Sequence, residues 1–305
     1  MNVKQRSLLK QFSFWLFIYT LLVILWGAWV RISHSGDGCG KSWPTCQGEL
    51  IPDLSTSKTW IEYAHRLMSG IYGVLVLGYT LTFVKICGQG NPLTKISYVT
   101  LGLTITEAIL GAKLVLSGLV GADHSTERIF VVALHQINSL FLSGSIVWTY
   151  FLLKDSTSEN TENPFLKIFS KKSLLLLLPF LFIATSGSWA ALSGSLFPSL
   201  SLSHGLQQDL QENAHKVVRL RVLHPLLALL IGGSFIYYFA NKASKLKDEA
   251  LKSYFQNTAL YFFIALVFGI MTLALLSPTW MKLSHLLIVH LLWAQLLKPG
   301  LRLKT

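Results

Sequence analysis

The sequence predicts an all-α integral membrane protein with eight transmembrane helices arranged as two pseudo-symmetric four-helix bundles. Three observations carry that expectation. The 305-residue chain is 52% hydrophobic and has a mean hydropathy of +0.51, too apolar for an ordinary soluble domain. Eight stretches approach the roughly 20 apolar residues that cross a bilayer. Histidines recur near the start of every second stretch, His65 and His135 in one half and His224 and His285 in the other.

The first stretch, 12–31, lacks a small-residue cleavage site, so it is expected to stay as a helix rather than be removed as a signal peptide. The second, 64–85, opens within TWIEYAHRLMSG. The third, 96–118, carries Glu107 and Lys113 within TITEAILGAKLVLSG, and the fourth, 129–153, contains VALHQIN. A Ser/Asn/Glu/Lys-rich segment at 155–172 then reads as a solvated linker. It separates an N-terminal half, 1–154, from a C-terminal half, 173–305. The second half repeats the plan with stretches 173–195, 218–240, 257–277 and 279–297. Matched strings between the halves are few, so the repeat rests on spans and histidines.

The net charge of +12 does not mark a nucleic-acid surface. Most Lys and Arg fall on one side of the eight-span arrangement, among them Lys4, Arg6, Lys10, Lys85, Lys95, Lys167, Lys171, Lys172, Lys242, Lys245 and Lys247. The positive-inside rule then places both termini in the cytoplasm of a multi-pass cell-membrane protein. No nucleic-acid partner is expected. The absence of a presequence favours a bacterial plasma membrane over an organelle.

Imidazoles inside membranes are rare without a task. All four matched histidines belong to spans that enter from the outside, so they share a depth near the outer face. Two facing helices with one histidine each can ligate a heme iron from both sides, which gives one site per half. The alternative for each is a hydrogen-bonded helix contact. His34, His124, His204 and His215 lie in outer loops, where solvation is the default. His290, five residues after His285, points about 140° away and reads as a lipid-edge or interhelix residue, with a ligand role as runner-up.

His65 has chemical company. Glu62 lies three residues earlier and shares its helix face. A carboxylate there can orient a ligand, bind a polar group or move protons; the plain alternative is an acid favoured by a helix N-terminus. The second half has RLRVLHPLLA at the matching place, with Arg219 and Arg221 but no acid in register. Arg66, Arg219 and Arg221 are candidate partners for heme propionates, against the alternative of interfacial snorkelling. Lys113 is near enough to a span end to snorkel, and Glu107 is deep enough to be protonated or paired. Cys39 and Cys46, within CGKSWPTC, face an oxidising compartment and can form a disulfide or stay as free thiols. No CxxC spacing supports zinc.

At these residues the chain resembles the heme A synthase family. The resemblance covers nearly the whole length and rests on GDGCGKSWPTC, EYAHR, EAILGAKLVLSGLVG with VALHQIN, ALSGSLFPSLSLSHGLQQDL with RLRVLHP, and KLSHLLIVHLLW. It implies an oxidase that converts one methyl group of heme O to a formyl group, giving heme A for terminal oxidases. By the same resemblance, His65 and His135 frame the heme O substrate and Glu62 is the catalytic acid. His224 and His285 ligate a heme b cofactor, and Cys39 pairs with Cys46. Some family members carry a second cysteine pair in the second half; this chain has none there. Implied partners are a heme O synthase, an electron donor such as a ferredoxin or quinol, and the cytochrome oxidase assembly route.

Two other classes compete. A diheme electron carrier would use the same four histidines, but it leaves EYAHR and the asymmetry between halves without a purpose. A transporter would break its helices at mid-membrane, whereas Pro residues here sit mostly at span ends. A prenyltransferase would need Asp-rich pyrophosphate sites, and no such cluster is present.

Overall fold

A computed structural model describes residues 1–154 and 171–298, and they are almost entirely helical. The chain divides into two compact units, Met1–Leu174 and Leu175–Thr305. The linker expected at 155–172 lies, up to residue 170, outside the described residues.

Among the described residues the first unit contains four long helices: α1 (Val3–Ile32), α2 (Ser57–Cys87), α3 (Pro92–Leu116) and α4 (Thr126–Lys154). Three of them start where the sequence supplies a cap for orphan amides. Asn2 and Gln5 form a reciprocal capping box on α1. Thr56 caps α2, and Asn91 caps α3 ahead of Pro92. α1 packs on α2 and α4, and α3 packs on the same two. α2 and α4 therefore stand on the diagonal and face each other across the unit.

Hydroxyls tie these helices together at one end. Ser13 Oγ and Tyr79 Oη lie 3.1 Å apart, Thr20 donates to Tyr72 Oη at 3.2 Å, and Thr100 and Ser145 meet at 2.9 Å. Such interhelical bonds each contribute on the order of 0.6–1 kcal/mol in lipid. Three tryptophans, Trp26, Trp29 and Trp60, interlock edge-to-face at the other end, as an aromatic belt does at a membrane surface.

The second unit contains α5 (Lys171–Leu196), the short α6 (Leu202–Leu210) and α7 (Lys216–Leu227). They are followed by a π turn (Ala228–Gly232), α8 (Gly233–Ser244), α9 (Glu249–Ala274) and α10 (Thr279–Leu296). Pro225 lies inside α7 and cannot donate a backbone bond, and the helix widens into the π turn just beyond it. Phe180 of α5 stacks on Trp293 of α10 and meets Phe262 of α9 edge-on. α9 and α10 are joined by a tight turn in which Leu276 and Ser277 both adopt positive φ, 58° and 57°.

Seven described helices are long and apolar enough to cross a membrane: α1 to α5, the α7–α8 rod and α9. The chain is an all-α, multi-pass membrane protein. The eighth expected span corresponds to α10, a helix of 18 residues that does not reach the same apolarity, because Lys282, His285, His290 and Gln295 dilute it. The loop expected between the fifth and sixth spans contains α6, whose LSHGLQQDL string was read as part of a loop.

Candidate functional site: four histidines in glycine notches

α2 brings His65, and α4 brings His135, to the inside of the first unit. Each ring lies against a glycine on the helix that precedes its own. A Cβ added to Gly27 of α1 would fall 2.8 Å from His65 Cε1 and 3.1 Å from Nε2, while one on Gly111 of α3 would lie 4.0 Å from His135 Cε1. The second unit repeats the pairing. Gly187 of α5 faces His224 of α7 at 3.0 Å, and Gly269 of α9 faces His285 of α10 at 3.1 Å. Three of these notches exist only because no Cβ is present. Small residues of this kind let membrane helices approach closely, and here the space they leave holds an imidazole. The sequence reading missed these glycines. Their signal was the repetition of Gly27 and Gly111 in the first half as Gly187 and Gly269 in the second.

The rings His224 and His285 have centroids 6.3 Å apart and planes crossed at 74°. Metal–imidazole bonds of about 2 Å on each side, plus about 1 Å from nitrogen to ring centre, give roughly 6 Å between centres. A centre-to-centre spacing of this size would let His224 and His285 hold one metal ion between them. Nδ1 of His224 lies 3.1 Å from Ser186 Oγ and 3.2 Å from the Ile183 carbonyl, which fixes its ring through α5. Nδ1 of His65 and His285 is buried without a hydrogen-bond partner, and Nδ1 of His135 makes no hydrogen bond either, its neighbour Glu107 Oε1 standing at an ion-pair distance of 3.4 Å. Buried polar atoms are nearly always satisfied, so rings left this open mark a site built for something further. The residues present fit a heme.

Glu62 is 3% exposed. Its Oε2 accepts the Cys39 amide at 2.7 Å, and its Oε1 accepts Nη2 of Arg66. Arg66 also donates to the carbonyls of Ser42 and Thr45. The Cys39–Cys46 disulfide closes that loop, and Gly38 presses its backbone against α2. Glu62 and Arg66 together therefore pin the loop over the end of the unit that carries His65. A Cβ on Gly38 would lie 2.4 Å from the Lys58 carbonyl, and backbone cannot move aside as a side chain does. Gly38→Ala is expected to lift the loop, destabilise the protein by about 1–3 kcal/mol and lower the melting temperature in detergent. An unchanged melting curve would show that the loop does not need this contact.

The arginines expected at propionates are engaged by the protein itself. Arg221 pairs with Asp209 of α6 and donates to the carbonyls of Phe197 and Gly205. Arg219 donates to the carbonyls of Gln211 and Glu212. Arg66 and Arg221 thus play the same part, each clamping the loop ahead of its own helix. The second unit has its acid after all; Asp209 comes from α6 rather than from the span, which is why no acid stood in register with Glu62.

Other residues resolve simply. Lys113 forms a 2.6 Å ion pair with Glu127 instead of reaching alone toward a membrane surface. His290 is 1% exposed, an interhelix residue and not a lipid-facing one. His215 caps α7, and His204 Nδ1 accepts the Leu200 amide.

A family model described as cytochrome oxidase assembly protein matches residues 10–297. The chain belongs to the cytochrome oxidase assembly protein family. Among curated relatives, a protoheme IX farnesyltransferase of Thermus thermophilus is 33% identical over 94% of this chain and 47% of its own length. Heme A synthases are similar over shorter stretches: one from Geobacillus thermodenitrificans is 37% identical over 49% of this chain and 44% of its own length. One from Symbiobacterium thermophilum is 36% identical over 32% of this chain and 31% of its length. The chain spans about half or less of the length of these relatives.

Proposed function

We propose that the chain is a heme A synthase: it oxidises a methyl group of heme O to a formyl group, and the heme A serves terminal oxidases. The observation that supports this most is the set of four matched histidines, three of them seated in glycine notches, coupled to a carboxylate-bearing loop clamp on α2. The family match and the heme A synthases among the relatives point the same way.

In this reading the protein has eight spans in two four-helix bundles. Residues 1–154 form the catalytic half, 155–172 the cytoplasmic linker and 173–305 the cofactor half. Both termini are cytoplasmic, and the histidine ends of the helices lie near the outer face. His65 and His135 hold the iron of the substrate heme O from opposite sides and so fix the ring plane within the first bundle. His224 and His285 hold heme b, which when bound supplies one-electron transfer. Each oxidation of the methyl carbon, first to an alcohol and then to a gem-diol, would take one oxygen atom from dioxygen while the other leaves as water with two electrons from the donor and two protons; the gem-diol then loses water to give the aldehyde. Glu62 assists that loss. Each of its oxygens keeps a lone pair beyond the bonds described, so it can carry a proton to the departing hydroxyl. The disulfide loop above Glu62 excludes water from this end of the site. Arg66 and Arg221 hold their loops in place, and with Arg219 they are the arginines to test against the heme propionates. A farnesyltransferase such as the one named for the Thermus relative fits the role of heme O supplier, and a ferredoxin or quinol fits that of electron donor.

Co-expression with a heme O synthase, followed by extraction and chromatographic separation of the hemes with mass detection, tests the proposal. A heme A peak that disappears in His65→Ala is the expected result. Heme b with unconverted heme O would overturn it in favour of a diheme electron carrier.

A further inference from the structure

The two units differ in what stands behind their histidines. In the second unit, His224 is backed by neutral groups, the Ser186 hydroxyl and the Ile183 carbonyl. In the first unit, Glu107 Oε1 stands 3.4 Å from His135 Nδ1, at ion-pair distance though without a hydrogen bond, whereas His65 has no acid at its Nδ1. The other oxygen of Glu107, Oε2, accepts Asn138 Nδ2 at 2.6 Å. Asn138 also donates to the Leu103 carbonyl at 2.9 Å and is 7% exposed. Leu103 and Glu107 lie one turn apart on α3, and His135 and Asn138 lie one turn apart on α4. Asn138 therefore braces the carboxylate against the imidazole from both helices. Across the unit, His65 Nδ1 is buried with no partner at all, and its ring faces the bare backbone of Gly27.

A carboxylate behind a ligating imidazole orients the ring and raises its basicity. An imidazole with no acceptor behind it is the weaker donor. A strong ligand on one side of an iron also weakens the bond opposite. We propose that Glu107, braced by Asn138, makes His135 the permanent ligand of the heme in the first unit and leaves His65 as the ligand released during turnover. This rests on the reading of His65 and His135 as ligands of heme O. Its consequence is directional. Glu62 lies three residues before His65 on α2, so the side vacated by His65 is the side on which the acid stands. Bis-histidine ligation of a substrate that must react is thereby reconciled with a free coordination position. Glu107 acts through His135 and is a positioning residue.

The test uses the full chain co-expressed with a heme O synthase, purified in detergent and reduced, with carbon monoxide as probe and resonance Raman detection. Three results are expected. The carbon monoxide adduct of the wild-type protein matches that of His65→Gly and differs from that of His135→Gly. In a His65→Gly background, Glu107→Gln shifts the iron–histidine stretching frequency downward and Glu107→Asp restores part of it. Retention of the heme in the first unit falls roughly 10–100-fold in Glu107→Gln, while the low-spin signal of the second unit is unchanged and reports folding. An unshifted frequency in Glu107→Gln, or a wild-type adduct matching His135→Gly, would overturn the proposal while leaving the ligand assignment standing. If neither histidine variant alters the spectrum, the ligand assignment itself fails and the proposal with it.

Discussion

Glu62→Gln is expected to lower heme A formation by about 10²–10⁴-fold, the range for loss of a positioned acid or base, while heme b content stays at the wild-type level. The substitution matters as much as the site. Both oxygens of Glu62 are engaged, one by the Cys39 amide and one by Arg66. Removing the side chain would take from the largely enclosed Arg66 its counter-charge, leaving it only the carbonyls of Ser42 and Thr45, and would leave the Cys39 amide without an acceptor. Glu62→Ala therefore loses activity for two reasons that one assay cannot separate. Gln keeps the volume and one of the two acceptors, so it is the milder substitution, and its melting temperature in detergent together with its heme b content reports how much of the loop docking is lost. Heme A formation in Glu62→Gln at the wild-type rate would remove Glu62 from the reaction and leave it as a loop anchor.

Alanine at the four notch glycines is expected to divide them into two groups. Gly27→Ala places a methyl group 2.8 Å from His65 Cε1, and Gly187→Ala places one 3.0 Å from His224 Cε1. The rings must rotate away, and overpacking of this kind costs about 1–3 kcal/mol. That corresponds to a roughly tenfold or greater loss of heme from the affected unit, since about 1.4 kcal/mol is a factor of ten. Gly111→Ala meets His135 at 4.0 Å, an ordinary contact, and is expected to retain heme within about twofold. Heme-to-protein ratios of the purified variants decide this. Equal retention in Gly27→Ala and Gly111→Ala would show that the notch does not position the ring.

The helices were legible because bilayer crossing imposes a length and a composition that a sequence displays directly. The expected stretch 279–297 and the helix Thr279–Leu296 differ by one residue at their C-terminal ends. The disulfide between Cys39 and Cys46 is present, as the resemblance implied. What escaped was set by approach between helices rather than by pattern along them. Nothing in the string ALHQIN says that Asn138 reaches Glu107 on another helix, and nothing in RLRVLHP says that Arg221 finds Asp209. Glycines are frequent in membrane helices, so Gly27 and Gly187 are visible as notches only when the imidazole opposite is visible too. The helical loop segment Leu202–Leu210 was missed because its strongly polar composition, with Gly205 in the middle, resembles a connector.

The pairing of Glu62 with Arg66 also bears on how the chain enters the membrane. An acid and a base four residues apart, with the acid first, meet on one helix without help from any other segment. A lone charge is costly where a helix enters lipid; here α2 carries its own counter-ion. Arg221 lacks that provision. Its acid lies 12 residues back on α6, outside the rod that must insert. The ion pair of the second unit thus forms only when α6 lies against α7, whereas that of the first unit is complete within a single helix.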